Sequence, residues 1–165
     1  MQRIVLFRHG PADEPSDDRA DVARALTEKG RKKTEKAARG LSTILGSVDL
    51  LANSPLLRAV QTADILDEYL HVPRREETAL LEPAADPKML LEWLADDESE
   101  LAVLVGHEPL LNHLSGLALC NDPRGFLVFR KAGAAMLEFP QRASPGNAEL
   151  RWLLSPSHLT RKPGN

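Results

Sequence analysis

The run at residues 101–105, LAVLV, most narrowly limits the folds open to this chain. Five consecutive apolar residues without polar alternation are typical of a parallel strand that helices cover on both faces. The run stops at Gly106, and Pro109 then marks the start of a helix that continues through Leu110 and Leu111. A strand followed directly by a helix start in this way predicts an α/β fold.

The same alternation extends along the chain and predicts the whole architecture. Helices are predicted to begin at Thr27, at Ser54-Pro55, at Asp86-Pro87 and at Pro109. The predicted strands cover residues 4–8, 48–52, 78–81, 101–105, 126–128, 134–139 and 150–154, the last two pairing as an antiparallel edge. We therefore predict a three-layer α/β/α sandwich with a mostly parallel central sheet, forming a single domain over residues 1–165.

Length and charge exclude several classes of protein. The chain has 165 residues, which fits one domain, and its net charge of -3 with a pI of about 6.0 argues against nucleic-acid binding. Cys120 is the only cysteine, so an intrachain disulfide is impossible. No apolar run approaches the ~20 residues of a membrane span, and Arg8 interrupts the N-terminal run too early for a signal peptide. We expect a cytoplasmic, monomeric protein that does not bind membranes.

Three of the predicted strands end in residues that suit phosphate chemistry. The first ends in Arg8-His9-Gly10, the second leads through Ser54-Pro55 to Arg58, and the fourth ends in Gly106-His107. Arginine offers a planar fork of donors to phosphate, neutral histidine can act as a nucleophile, and glycine lets the backbone approach a ligand. Each feature also has a structural interpretation, as a surface turn, a partly exposed arginine or a capping histidine. Because parallel strands end at one rim, their convergence favours a phosphate pocket.

Other phosphate chemistries lack their residues in this sequence. No Gly-rich P-loop motif is present, and the segment from Cys120 to Arg124 has the wrong spacing for a cysteine phosphatase. No acidic cluster follows a strand to hold Mg²⁺, and no His/Cys group has zinc spacing. Catalysis without metal or cofactor, with histidine as the nucleophile, is what remains.

The loop at residues 11–26 and the helix that follows it carry many charges. Asp17, Asp18 and Asp21 are predicted to be solvated, and a surface role is predicted for Arg19 and Arg24. The lysines that follow Thr27 alternate with glutamates, which is typical of a solvated helix face.

Taken together, these motifs resemble the histidine phosphatase superfamily, which has the phosphoglycerate-mutase-like fold. The resemblance rests on Arg8-His9-Gly10, on Ser54-Pro55 with Arg58 and Gln61-Thr62-Ala63, and on Val105-Gly106-His107. The short length, the segments 24–30 and 81–87, and the ending at 152–156 are similar to its small SixA-type branch of phosphohistidine phosphatases.

The resemblance implies a role for each residue of the pocket. His9 would attack phosphorus, while Arg8, Arg58 and His107 bind the phosphoryl oxygens together with the backbone at Gly10. Larger relatives add a carboxylic acid at a position that Glu82 matches, whereas the SixA-type branch usually lacks one. Glu82 is therefore either a general acid or a plain loop residue.

Three functions follow from these expectations. The first is a phosphohistidine phosphatase acting on a phosphotransfer protein, because few insertions are present to roof the pocket. The alternative is a phosphomonoesterase for a small metabolite, with the loop 11–26 as a lid. A non-catalytic phosphate-sensing module is a third class, which the presence of all four pocket residues disfavours.

Overall fold

The structure, a computed structural model, describes residues 1–160, and within them the strands form one six-stranded sheet in the order β3-β2-β4-β1-β5-β6. The strands are β1 (Gln2–Arg8), β2 (Leu50–Asn53), β3 (Arg74–Glu77), β4 (Leu101–Gly106), β5 (Ala134–Phe139) and β6 (Glu149–Leu154). The helices are α1 (Glu28–Ile44), α2 (Leu57–Leu70), α3 (Pro87–Asp96), α4 (Leu110–Cys120) and α5 (Pro156–Leu159).

The sheet is mostly parallel, as predicted. β1 and β2 both run parallel to β4, and β3 runs parallel to β2. β5 is antiparallel to both β1 and β6, which gives the predicted antiparallel edge. The α/β sandwich expected from the strand and helix alternation is confirmed.

Alternating residues of β1 face the two hydrophobic cores of the sandwich. Ile4 and Leu6 pack in a core with α3 and α4, whereas Val5 and Phe7 pack in the other core with α1 and α2. The central strand β4 is buried along its whole length, which is why its sequence shows no polar alternation. No helix of the described residues is long and apolar enough to cross a membrane.

The position predicted for the third strand, residues 78–81, was wrong, because the strand lies four residues earlier in the chain. β3 occupies Arg74–Glu77, and residues 79–81 form a 3₁₀ turn instead of the predicted strand. The sequence of β3, Arg-Arg-Glu-Glu, lacks apolar residues because β3 is an edge strand that is mostly exposed. Charged side chains on an edge strand also discourage pairing with other chains.

The predicted strand at residues 126–128 is also wrong. This segment lies outside the sheet, although its burial alternates as in a strand. Phe129 is buried and Leu127 is partly buried, while Phe126 and Val128 are exposed. Asn112 at the start of α4 holds the segment by accepting a hydrogen bond from the Leu127 amide, 2.9 Å.

The loop at residues 11–26 is closed at its base and contacts α2 through Asp21. Ala12 and Leu26 form a β-bridge, and the Thr27 amide donates to the carbonyl of Pro11 at 3.1 Å. Thr27 then caps α1 as predicted, its side chain accepting from the Gly30 amide. Residues Asp21–Ala23 form a 3₁₀ turn within the loop.

Candidate active site

Backbone hydrogen bonds continue the parallel ladder past the ends of the strands and bring the predicted residues together. The His9 amide donates to the Gly106 carbonyl at 3.1 Å, and the Ser54 amide donates to the Val105 carbonyl at 3.1 Å. His9, Ser54 and His107 therefore lie at one rim of the sheet. The rings of His9 and His107 are 4.9 Å apart between centroids.

The backbone determines the tautomer of His9. Its Nδ1 atom lies 2.7 Å from the Gly10 carbonyl oxygen, which can only accept, so Nδ1 carries the proton. In a neutral ring the lone pair is then on Nε2. His9 is only 6% exposed, so this orientation is held by packing as well as by the hydrogen bond.

Ser54 has the equivalent effect on His107. The Ser54 hydroxyl accepts from the Leu56 amide at 3.2 Å and lies 2.8 Å from His107 Nε2. Among the described residues, His107 Nε2 is the acceptor within reach of the Ser54 hydroxyl proton, so donation from Ser54 to Nε2 satisfies both groups. The imidazole proton of His107 is then on Nδ1, a buried atom without a hydrogen-bond partner among the described residues.

Arg8 and Arg58 are also held by only some of their guanidinium nitrogens. Arg8 donates from Nη1 to the Phe129 carbonyl at 2.7 Å, and Arg58 donates from Nη1 and Nη2 to Asp21. The Nε atoms of both arginines are buried and have no hydrogen-bond partner within residues 1–160. Arg58 is 3% exposed, which corrects the expectation of a partly exposed side chain.

Gly10 connects the end of β1 to α2 and lies against α1. Its amide donates to the Thr62 hydroxyl at 3.0 Å, and its carbonyl accepts from His9. A Cβ atom at this position would lie 2.1 Å from Thr34 Oγ1, so the close approach of α1 requires glycine. Thr62 in turn donates to the Arg58 carbonyl at 2.7 Å, which ties the end of β1 to α2. The Gly10 amide is thus already occupied by Thr62, and phosphate binding at Gly10 stays a prediction.

Burial and positive charge keep both histidines neutral. Burial, together with the charges of Arg58, Arg8 and Lys131, lowers the pKa of His9 to about 3, although the hydrogen bond to the Gly10 carbonyl opposes the shift. Burial followed by the neighbouring His9 and Arg58 lowers the pKa of His107 to about 3. Neutral histidine at physiological pH is the form that can attack an electrophile.

Two glutamates lie beside these residues. Glu82 follows the 3₁₀ turn Ala79–Leu81, whose last carbonyl lies against Gly106, and its side chain is partly exposed. Its role as a general acid stays a prediction. Glu108, which the sequence analysis did not single out, has a buried Oε1 without a hydrogen-bond partner in the described chain. Burial raises the pKa of Glu108, and the charge of Arg8 opposes that shift.

The sequence analysis missed the residues that orient the site. Asp21, predicted to be solvated, binds Arg58, and the main-chain carbonyl of Phe129 binds Arg8. Main-chain contacts leave no signal in the sequence, and an aspartate in a polar loop has none that separates it from its neighbours. Among residues 1–160, no group of three or more His, Cys, Asp or Glu side chains could hold a metal ion.

Comparisons with known proteins agree with this geometry. The family model of the histidine phosphatase superfamily (branch 1) matches residues 4–87. An uncharacterized protein of Picosynechococcus sp. is 34% identical over 79% of this chain and 81% of its own length. The phosphohistidine phosphatase SixA of Escherichia coli is 26% identical over 95% of this chain and 96% of its own.

Solved structures share the fold over nearly the whole chain. The protein histidine phosphatase SixA in complex with tungstate has a TM-score of 0.84 at 23% identity, covering 96% of this chain and 99% of that one. A phosphoserine phosphatase of Entamoeba histolytica in complex with phosphoserine has a TM-score of 0.70 at 17% identity, covering 96% and 100%. These likenesses establish the phosphoglycerate-mutase-like fold, and the family match identifies the chemistry. The chain therefore belongs to the histidine phosphatase superfamily, in its small SixA-type branch, and is a phosphatase.

Proposed function

We propose that this protein is a phosphohistidine phosphatase that hydrolyses a protein-borne phosphohistidine through a phosphorylated His9. The observation that carries the proposal is the orientation of His9, whose Nδ1 proton is held by the Gly10 carbonyl beside His107 and two arginines. A neutral, buried imidazole with its lone pair on Nε2 is an oriented nucleophile.

The reaction then has two displacement steps. His9 Nε2 attacks phosphorus, the bond between phosphorus and the substrate imidazole breaks, and the substrate ring, which has taken a proton from solvent on its free nitrogen, leaves as neutral imidazole. Water next attacks phospho-His9, releasing inorganic phosphate and a proton and restoring the neutral ring. Arg8 Nε, Arg58 Nε and the Nδ1 proton of His107 are the donors available to the phosphoryl oxygens. Such fixed charges and donors are the main source of catalysis in phosphoryl transfer.

Two features support a protein as the carrier of the phosphohistidine. The similarity to phosphohistidine phosphatase SixA extends over 95% of this chain. In addition, apolar side chains are exposed on both loops that touch the catalytic arginines: Val22 at 59%, Phe126 at 54% and Val128 at 71%. Exposed apolar groups beside a site are typical of a surface that contacts another protein. The monomeric state and the cytoplasmic location stay predictions from the sequence.

The second candidate is a phosphomonoesterase for a small metabolite. Glu82 favours it, because Glu82 directly follows Leu81, whose carbonyl lies against Gly106, and an acid in this loop could protonate an alkoxide leaving group. The structural neighbour that binds phosphoserine shows that the fold also accommodates a small phosphoester. A non-catalytic phosphate-sensing module is not supported, since the chain belongs to a phosphatase family.

Trapping the phosphorylated enzyme tests the proposal. We expect a reaction with a histidine-phosphorylated phosphotransfer domain, quenched rapidly, to leave phosphate on His9 by mass spectrometry. His9→Ala should abolish turnover. His71→Asn is the matched control, because His71 is an exposed histidine with a positive φ of 51° that asparagine tolerates. Phosphate on another residue, or normal turnover by His9→Ala, would overturn the proposal.

A further inference from the structure

We propose that Asp21 is a positioning residue, which holds one edge of the Arg58 guanidinium so that its Nε edge faces the phosphoryl group. The inference rests on the proposed function, because it assumes that Arg58 binds phosphate. It assigns a catalytic purpose to the loop 11–26 that differs from that of a lid.

The contacts of Arg58 separate the two edges of its guanidinium. Nη1 donates to the main-chain carbonyl of Asp21 at 3.0 Å, and Nη2 donates to its Oδ2 atom at 3.1 Å. A guanidinium carries five N–H groups in a planar fork, so this pair of bonds occupies the end of the fork. The side of the fork, Nε with the second N–H of Nη2, remains for another ligand. Nε is buried and has no partner among the described residues.

Asp21 is itself fixed, which a positioning role requires. Arg24 donates from Nε to Asp21 Oδ1 at 2.8 Å and from Nη1 to the Asp13 carbonyl at 3.0 Å. Asp21 also begins the 3₁₀ turn Asp21–Ala23, and the loop is closed at its base by the bridge between Ala12 and Leu26. Partial burial would raise the pKa of Asp21, but hydrogen bonds from Arg24 and Arg58 lower it overall, so the carboxylate is charged at neutral pH.

The alternative is that Asp21 competes with phosphate for Arg58. A competitor would occupy the donors that the phosphoryl group needs and would have to leave on binding. The observed geometry argues against this, because Asp21 leaves the buried Nε atom unused. A phosphoryl oxygen could bind Nε while Asp21 stays in place. Arg58 would then need no rearrangement during the reaction, which is the condition for strong electrostatic stabilisation.

Substitution of Asp21 in the wild type and in an Arg58→Ala variant tests whether Asp21 positions Arg58. With small phosphoramidate as substrate, we expect Asp21→Asn to lower kcat by about 10- to 100-fold, because a displaced catalytic group loses that much rate. KM and inhibition by inorganic phosphate should change less than about threefold, because fixing Arg58 matters most in the transition state. In an Arg58→Ala background, Asp21→Asn should have no further effect, since residues acting through one group are not additive. Asp18→Asn, an exposed aspartate on the same loop, is the matched control.

Each other result contradicts the inference in a recognisable way. Tighter inhibition by phosphate with a higher kcat would make Asp21 a competitor. A lower melting temperature with unchanged kinetics would show that Asp21 only anchors the loop. If Asp21→Asn lowered kcat equally in the wild type and in Arg58→Ala, Asp21 would not act through Arg58. If Arg58→Ala and His9→Ala were both fully active, the proposed function itself would be wrong.

Discussion

Arg8, Arg58 and His107 each use part of the side chain for hydrogen bonds within the protein. Each also has a buried nitrogen atom that has no hydrogen-bond partner within residues 1–160. Buried donors are normally satisfied, and an unsatisfied one costs about 1–3 kcal/mol. Three such nitrogens on the residues around His9 are therefore best explained by a ligand that carries several acceptor oxygens. A phosphoryl group has that chemistry.

The pairing of Ser54 with His107 leads to a residue-scale prediction. Without the hydroxyl, the His107 proton is no longer directed to Nδ1. We expect Ser54→Ala to lower kcat by roughly 10-fold, which is less than the cost of about 10²- to 10³-fold for removing a transition-state donor outright, because the ring itself remains. Nitrogen chemical shifts of the His107 ring should change from the Nδ1-protonated pattern towards a mixture of tautomers. Ser115→Ala is the control, because Ser115 is buried and bonds only within α4. An unchanged tautomer in Ser54→Ala would contradict the prediction.

Glu82 separates the two candidate substrates. An alkyl phosphoester expels an alkoxide that must be protonated as it leaves, whereas phosphohistidine expels an imidazole whose conjugate acid has a pKa of about 6.5. If Glu82 is a general acid, Glu82→Gln should slow hydrolysis of an alkyl phosphoester by roughly 10²- to 10⁴-fold and leave phosphohistidine turnover nearly unchanged. Steady-state rates on both substrates measure this. Equal losses on both would indicate a disturbed pocket, and no loss on either would make Glu82 a plain loop residue.

At the scale of elements, the segment 126–130 links the site to a potential partner. Phe129 points into the core and its carbonyl holds Arg8, while Phe126 and Val128 are exposed. We expect the double substitution Phe126→Ser and Val128→Ser to lower kcat/KM for a histidine-phosphorylated phosphotransfer domain by about 30-fold, since each buried apolar side chain contributes roughly 1 kcal/mol to an interface.

Turnover of small phosphoramidate by the same variant should stay within about twofold, because surface substitutions rarely disturb a folded site. Ile44→Ser is the control, as Ile44 is 50% exposed at the end of α1 remote from the rim. Equal activity of variant and wild type on the phosphoprotein would show that this segment does not contact the carrier.

The strands show which parts of the fold could be predicted from the sequence. The buried strands β1 and β4 were predictable because burial on two faces requires continuous apolar residues. The edge strand β3 was missed because Arg74–Glu77 has none, and the segment 126–128 was mistaken for a strand because its alternation reflects packing on a core without sheet pairing. Arg8, His9, Arg58 and His107 could be grouped from the ends of their strands, whereas the contact of Asp21 with Arg58 depends on how a polar loop folds back.

The whole molecule has a negative net charge and a positive site. The formal charge is -3, yet Arg58, Arg8 and Lys131 all act on His9. The fold achieves this by burying Arg58 and partly burying Arg8 beside two buried histidines at one rim, while the acidic residues are mostly exposed. Gathering these four basic groups at one largely buried rim disfavours protonation of the histidines and makes folding sensitive to acid.

The direction of this pH dependence follows from the two pKa values. His9 and His107 have pKa values of about 3 in the folded protein, below the ordinary 6.5 of an unfolded chain. Between these values the unfolded chain binds more protons, so the free energy of unfolding decreases as the pH falls from about 6.5 towards 3. As the pH falls from 7.5 to 5.0, the two histidines together should lower the free energy of unfolding by roughly 2–4 kcal/mol.

Urea denaturation at pH 7.5 and 5.0 measures this cost. The double variant His9→Gln and His107→Gln should lose much less stability over that interval than the wild type, because its two side chains no longer titrate. His71→Asn, which removes an exposed histidine, should retain the wild-type dependence. Carboxylates with ordinary pKa values near 4 contribute mainly below this interval, and Glu108, whose pKa is raised by burial, is present in both proteins and largely cancels in the comparison. If the double variant and the wild type had the same dependence on pH, the two histidines would not be held neutral by the fold.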